Sequence, residues 1–587
     1  MATLDFTFVA HSNKKSYIRF LTIFAVLVLS YGCKKKTKMS EVTEQRPNVI
    51  FVLMDDMGYG QFGVHNDTLK TSDFDPYFVH LVDSLQHYSL EESLEFSKTA
   101  MPTVSKLARE GVYFTNAFTS SSLCAPSRMG IATGVLQNRF GVYRNTDAEK
   151  RGIDRGNHLA TKMRDLGYKT AHIGKWHIGQ FDDSMLKNAL AKNGLSDTLT
   201  LPNIRKSHPE VYDELINGGY LGSTAEKHHP LNHGFDYFYG YNYWASQFYN
   251  ATNVWENKVH AGIQEDYNTD TFTTKALNFI EKQVDDDEPF YVQLHYHAVH
   301  DSLEPKAPAK YFDRFSSNSY DLNNFYAHLY GVDENIKRVV AFLKSKNQYE
   351  NTIIIFSSDN GAMAGGSYHG HKTGSPLPGN APYSGHKGNY YQGGVRVPLF
   401  VHWPKGIKNP YHSKHLVSAM DIIPTALDAA GGEVPNDIDG KSLLPILRDE
   451  NSLPIHEELY WAGIHSNRWG YTIVKTTKTH DNEAEFAPPA WAIVKGDYLL
   501  RFTGTLENGV YKDFLDGREP VFELFNLKND PKEKNDLATL MPEVVFEMQK
   551  TYFKNTSDFK PPTRWDIKKW EELQKPSPDF DKLIFKD

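Results

Sequence analysis

Cysteine is almost missing from this chain: among 587 residues only Cys33 and Cys124 occur. No disulfide framework can be built from them, so each thiol has its own chemical task. Basic excess is missing too. The net charge is −8, which leaves no electrostatic footprint for nucleic acid. An anionic substrate would need cations gathered locally inside a site. The apolar run Phe20–Ser30 is too short to span a bilayer, which takes about 20 such residues. What remains is ordinary. Hydrophobic content of 40% and charged content of 23% read as a globular protein, long enough for a large core with an appendage.

Lys14, Lys15 and Arg19 precede Phe20–Ser30, and Tyr31-Gly32-Cys33 follows. A basic stretch, a short apolar stretch and small residues make a secretory signal. The last residues resemble a bacterial lipobox, in a loose form because Tyr31 is bulky. That resemblance implies residues 1–32 as signal peptide, lipidation of Cys33, and a polar tether over 33–46. The chain would be exported and anchored to the outer membrane, facing the periplasm or the cell surface, since several acyl chains hold stably. An ordinary signal with a chance cysteine is the alternative.

Asn48–Met54 is a continuous apolar run, as for a buried parallel strand. It ends in Asp55-Asp56-Met57-Gly58. Ligands of open α/β sheets bind beyond the carboxyl ends of strands, and paired carboxylates there suit a hard cation. They suit a turn equally well. Thr352–Phe356 is a second such strand, and it leads to Asp359-Asn360. Two oxygen pairs from distant strands are less readily chance than one. Between them, Cys124-Ala-Pro-Ser-Arg128 opens a helix, with Pro126 in its first turn. Residue 124 would meet the positive end of the helix dipole, with Arg128 one turn on along the same face. Such a cysteine is a reactive thiolate or the precursor of something else.

Lys169–Gly174 reads as a strand running into Lys175-Trp176-His177, where extended backbone would turn Lys175 and His177 to one side. Pro289–Tyr296 is another strand, followed by His297 and His300. A zinc site from His295, His297 and His300 is disfavoured, because no cysteine helps complete it and His300 lies past the strand's end. Apolar residues at Phe325, Leu329, Val332, Ile336, Val340 and Leu343 mark an amphipathic helix over Tyr320–Lys346. A Gly/His-rich loop over 364–385, with His369 and His371, leads to His386 and Lys387. Residues 65–98 and 182–227 read as largely polar insertions. After about residue 430 the pattern shifts to short strand-like segments, Ala492–Leu500 and Val521–Asn526, and a helix over Pro542–Asn555.

Several stretches together resemble the type I, formylglycine-dependent sulfatases of the alkaline-phosphatase superfamily. They are Met54–Gly60, the Cys124 motif through Thr133-Gly134, Gly174–His177, Ala298–His300, Ser358–Gly361, Lys387-Gly388 and Glu523–Leu537. The resemblance implies an α/β fold. A large alkaline-phosphatase-like domain over 47–430 would have a central mixed sheet flanked by helices. A smaller C-terminal α+β domain and tail would fill 431–587.

The resemblance also implies that Cys124 is converted to formylglycine (3-oxoalanine). The converting partner would be a formylglycine-generating or anaerobic sulfatase-maturating enzyme. One calcium would be held by Asp55, Asp56, Asp359, Asn360 and residue 124. Lys175 and Lys387 would carry charge for the sulfate, Arg128 would hold the nucleophile, and Asp359 would act as base. His177 would take the second hydroxyl proton, and His300 would serve as general acid. The implied reaction removes sulfate from a polysaccharide or oligosaccharide, with an algal polymer such as ulvan preferred for the length of the insertions. Alternatives are a phosphodiesterase or phosphonate monoester hydrolase of the same superfamily, or a non-catalytic polysaccharide-binding lipoprotein.

Overall fold

The Asn48–Met54 strand is buried along its whole length. Ile50, Val52 and Met54 enter one apolar core, while Val49, Phe51 and Leu53 enter another. A strand covered on both faces needs apolar residues at every position, hence the unbroken run. The computed structural model describes residues 46–74, 76–154, 156–363, 375–463, 490–503, 506–507, 510–511 and 521–560. In it this strand lies fifth in a ten-stranded sheet.

Its two neighbours, Thr352–Ser358 and Phe290–His295, run parallel to it. Lys169–Lys175 and Tyr237–Tyr241 continue the parallel set. Leu399–His402 turns antiparallel beside Thr352–Ser358, so the sheet is mixed, as expected. Because these central strands share one direction, their carboxyl ends reach one edge. The helices Asn268–Asp285 and Tyr320–Ser345 contribute to the first core. Cys124–Thr133, Ala160–Asp165 and Ile422–Ala429 contribute to the second. In the Tyr320–Ser345 helix, Phe325, Leu329, Val332, Ile336 and Leu343 are all buried.

A separate antiparallel sheet orders Glu458–Gly463, Ala490–Lys495, Tyr498–Thr503 and Val521–Asn526. The expected single segment Ala492–Leu500 is therefore a hairpin. Lys495 pairs with Tyr498, and Gly496 takes the turn at φ +57°, where a side chain would be strained. The Pro542–Asn555 helix packs on this sheet, with the Tyr552 ring stacked on Trp491 at 4.2 Å.

Both insertions are more regular than their composition suggested. Residues 65–98 contain the helices Pro76–Gln86 and Leu90–Thr99. The second of these starts at a capping box between Ser89 and Glu92. Residues 182–227 contain Asp183–Lys192, Leu201–Ser207 and Pro209–Asn217. These enclose an apolar cluster of their own around Leu190, Ile204, Val211 and Leu215.

The signal segment, Cys33, the tether through Gln45, His369, His371 and the tail beyond Lys560 lie outside the described residues. Among the described residues no helix is long and apolar enough to cross a membrane.

Candidate active site

The common edge of the parallel strands gathers the polar residues that the sequence singles out. Asp55 and Asp56 follow the Asn48–Met54 strand, Asp359 and Asn360 follow Thr352–Ser358, and Lys175 closes Lys169–Lys175. His300 lies past Phe290–His295. Opposite them the Cys124–Thr133 helix points its first residue into the group. One ligand atom each of Asp55, Asp56, Cys124 and His300 falls within 4.8 Å of the others. Asp55, Asp56, Cys124, Arg128, Lys175, His177, His300, Asp359 and Asn360 are all buried. Lys387 keeps 14% of its side chain open, so solvent reaches the site from its side.

Backbone geometry helps to converge these groups. Asp56 and His177 sit at φ +61° and +54°, a region that costs a non-glycine residue about 1–3 kcal/mol and clusters at functional sites. The expected extended path through Lys175 and His177 is thus corrected. The strand ends at Lys175, and the chain then bends sharply. Gly174, at φ +107°, allows the bend, and its lack of a Cβ lets the His295 carbonyl oxygen approach, since a Cβ would lie 1.8 Å from it.

Three carboxylates and three cations interlock. Lys175 Nζ donates to Asp55 Oδ2 at 2.7 Å, and Lys387 Nζ donates to Asp56 Oδ2 at 2.8 Å. Arg128 Nε donates to Asp359 Oδ2 at 3.0 Å. Its Nη2 also lies 2.8 Å from Asp359 Oδ2 and 3.7 Å from Asp55 Oδ1. Arg128 therefore clamps carboxylates and, through Nη1, the Lys175 carbonyl at 3.0 Å. Asn360 Nδ2 donates to Asp56 Oδ1 at 2.7 Å, and the Asp56 N–H to Asp359 Oδ1 at 3.2 Å.

Burial pushes Asp55 up, but Lys175, His300, His297 and Arg128 together hold it well below the usual carboxylate range. Asp56 is likewise held down, by Lys387 and His300 against its burial. Asp359 goes the other way: burial and the neighbouring Asp55 outweigh Arg128 and lift it to about 7. The Cys124 thiol is pushed up to about 12 by burial, against Lys175 and Lys387. A helix dipole and two lysines do not make this thiol a thiolate, because full desolvation outweighs them.

The residues fit a hard cation. Asp55 Oδ1 and Asn360 Oδ1 are buried with no hydrogen-bond partner, a costly state for an oxygen unless a cation takes it. Carboxylate and amide oxygens are the donor types that calcium or magnesium takes.

Three contributors lacked a motif in the sequence. His297 Nδ1 lies 3.9 Å from Asp55 Oδ2, and its ring stacks near His300 at 5.7 Å. Glu149, in the helix Asn145–Arg151, has Oε1 3.4 Å from His177 Nε2. The Asn145 side-chain oxygen accepts from the Ala125 N–H at 3.2 Å. Both come from an element that reaches the site by tertiary packing alone. His295 stands apart: its Nδ1 meets Arg128 Nη1 at 3.4 Å and its ring packs on His172. The three histidines therefore form no common site.

The family model for sulfatases matches residues 47–432. The chain belongs to the sulfatase family. It is an enzyme of that family, similar over 519 residues, at 32% identity, to the uncharacterized sulfatase YdeN of Escherichia coli (strain K12). That match covers 86% of this chain and 85% of the relative. An N-acetylgalactosamine-6-O-sulfatase of Bacteroides thetaiotaomicron is 25% identical, over 91% of this chain and 98% of its own. Among solved structures, Ps i-CgsB in complex with k-i-k-neocarrahexaose shares the fold. Its TM-score is 0.62 at 22% identity, over 92% of this sulfatase and all of that chain.

Proposed function

We propose that this sulfatase hydrolyses sulfate esters of a polysaccharide or oligosaccharide, using residue 124 after its oxidation to formylglycine and one bound calcium. The observation that carries the reading is the position of Cys124. It sits beside Asp55, Asp56 and His300, yet its thiol is held protonated. An unmodified cysteine there is a poor nucleophile. The relative named N-acetylgalactosamine-6-O-sulfatase and the neighbour in complex with k-i-k-neocarrahexaose support a saccharide substrate. Calcium would be held by Asp55, Asp56, Asp359, Asn360 and residue 124.

Calcium would draw charge from the sulfuryl oxygens, and formylglycine would supply a hydrated aldehyde oxygen as nucleophile. The chain's own residues do the rest. Lys175 and Lys387 offset the charge that spreads over the sulfuryl oxygens in the transition state. Arg128 fixes Asp359 through Nε, and this carboxylate is positioned to take the proton of the attacking hydroxyl. Glu149 faces His177 Nε2 and so favours the tautomer with the proton on that nitrogen. His177 Nδ1, buried and without a partner, is then the atom that accepts a proton. His300 Nδ1 donates to the Asp301 carbonyl, which leaves Nε2 to face the site, 3.7 Å from Asp56. Burial pulls His300 down to about 3 against Asp56 and Asp55, so it donates to the leaving oxygen of the sugar only once the anionic substrate favours its charged form.

We further propose export through the N-terminal segment and lipid anchoring at Cys33, in keeping with a large external substrate. The test is ion chromatography of released sulfate and phosphate. The substrates are defined oligosaccharides from ulvan, carrageenan, fucoidan and glycosaminoglycans, plus a phosphodiester. Sulfate from a saccharide is the expected result. Phosphate from the diester alone would overturn the reading in favour of a phosphodiesterase.

A further inference from the structure

The buried constellation addresses the sulfuryl group, which every sulfate ester shares. The alcohol half must be chosen outside it. The Tyr237–Tyr241 strand ends at the same sheet edge, paired with Lys169–Lys175. Residues beyond it turn inward, with Asn242 at 1% and Phe248 at 0% exposure, yet Trp244 keeps 43% of its surface open. Its indole lies 5.7 Å from the His300 ring, tilted by 49°. His300 in turn belongs to the cluster with Asp55, Asp56 and Cys124. One side chain therefore separates the open indole from the reacting centre.

The indole is also held in place. Trp244 packs on Tyr243 at 5.1 Å, and Tyr243 packs on Phe181 at 5.7 Å. Phe181 meets Tyr220 at 5.4 Å. Phe181 and Tyr220 belong to the apolar cluster of the helices within residues 182–227. The insertion that carries no catalytic residue thus buttresses the aromatic pair beside the site. A single exposed ring is ordinary on a protein surface; what distinguishes Trp244 is that it stands buttressed beside His300.

We propose that Trp244 is a specificity-determining residue: its indole takes the C–H face of the pyranose ring that carries the ester while the sulfuryl group is seated among the lysines. Aromatic faces bury well against flat apolar surfaces, and a pocket with few polar anchors uses such a face to orient its ligand. This rests on the saccharide reading above and names the contact that makes it. A sulfate ester without a ring gains nothing from the platform, so the enzyme should separate ring from chain alcohols through Trp244.

The test uses full-length protein with residue 124 shown to be converted, the saccharide cleaved best in the panel above, and ethyl sulfate. Trp244→Ala should lower kcat/KM for the saccharide, relative to that for ethyl sulfate, by about tenfold or more, chiefly through KM. Trp244→Phe, which keeps a ring, should recover the saccharide to within about threefold of the parent. An equal fall on both substrates would mean a structural role and overturn the proposal. A saccharide KM unchanged in Trp244→Ala would overturn it while leaving the saccharide reading intact. Ethyl sulfate cleaved by the parent with every saccharide refused would overturn both.

Discussion

The carboxyl edge of the central sheet and the small C-terminal sheet solve opposite problems with buried charge. At the edge, Asp55, Asp56 and Asp359 are crowded together, and two buried oxygens lack hydrogen-bond partners. In the small sheet, Arg501 pairs with Glu523 across adjacent strands, and Tyr391 donates to the same carboxylate. On the opposite face of that sheet Tyr552 stacks on Trp491. The second arrangement serves cohesion. The first crowds charges and leaves buried oxygens unpaired, and sites of that kind commonly trade stability for activity.

Substitutions can break this contrast. Cys124→Ala should lose sulfate release by on the order of 10⁴-fold or more, with circular dichroism unchanged, because the helix gains an equally good former at its start. Lys387→Ala comes next. It removes a cation that compensates transition-state charge, and kcat/KM should fall by about 10²–10³-fold. Dialysis against a chelator should remove activity and lower the melting temperature. Calcium should restore both; restoration by zinc alone would contradict an all-oxygen site.

On the other side of the comparison, Trp491→Ala should destabilise folding by about 3–5 kcal/mol in denaturant titration, with kcat on a small sulfate ester retained. Equal loss of stability and kcat there would merge the two regions.

The smallest effect concerns pH. His456 Nε2 lies 2.9 Å from Asp421 Oδ1. Burial works against its charge, but Asp421 prevails and raises it above its ordinary 6.5. A raised folded value stabilises fully below the unfolded value, and the contribution fades as pH rises through the folded one. Stability of the parent should therefore fall as pH climbs above 6.5. His456→Gln should flatten that slope, as read by melting temperature across pH. An unchanged slope would remove His456 from the account.

Much of this contrast was legible in the sequence, because strand ends write themselves locally. The runs Val49–Met54 and Ile353–Phe356 are apolar for both faces of a sheet, and the oxygen pairs Asp55-Asp56 and Asp359-Asn360 come just after them. Cys124, Arg128 and Lys175 likewise sit within short motifs. Other residues are brought in by packing. Glu149 and Asn145 come from a helix with no pattern of its own, and Trp244 is one of many aromatics until the fold leaves it exposed beside His300. The hairpin at Gly496 was missed because both its strands are apolar and their turn is a single short break. Among the described residues the histidines do not gather into a zinc site, in keeping with the sequence. His295 and His297 are two apart in sequence, but the strand ends between them.

The central claim is that residue 124 acts only after conversion. Preparations with different degrees of conversion can be made by varying supply of the maturating enzyme, and peptide mass spectrometry gives the formylglycine fraction in each. Specific activity for sulfate release should rise in proportion to that fraction and extrapolate to zero with none converted. Equal activity in a preparation that holds only cysteine at position 124 would contradict the account.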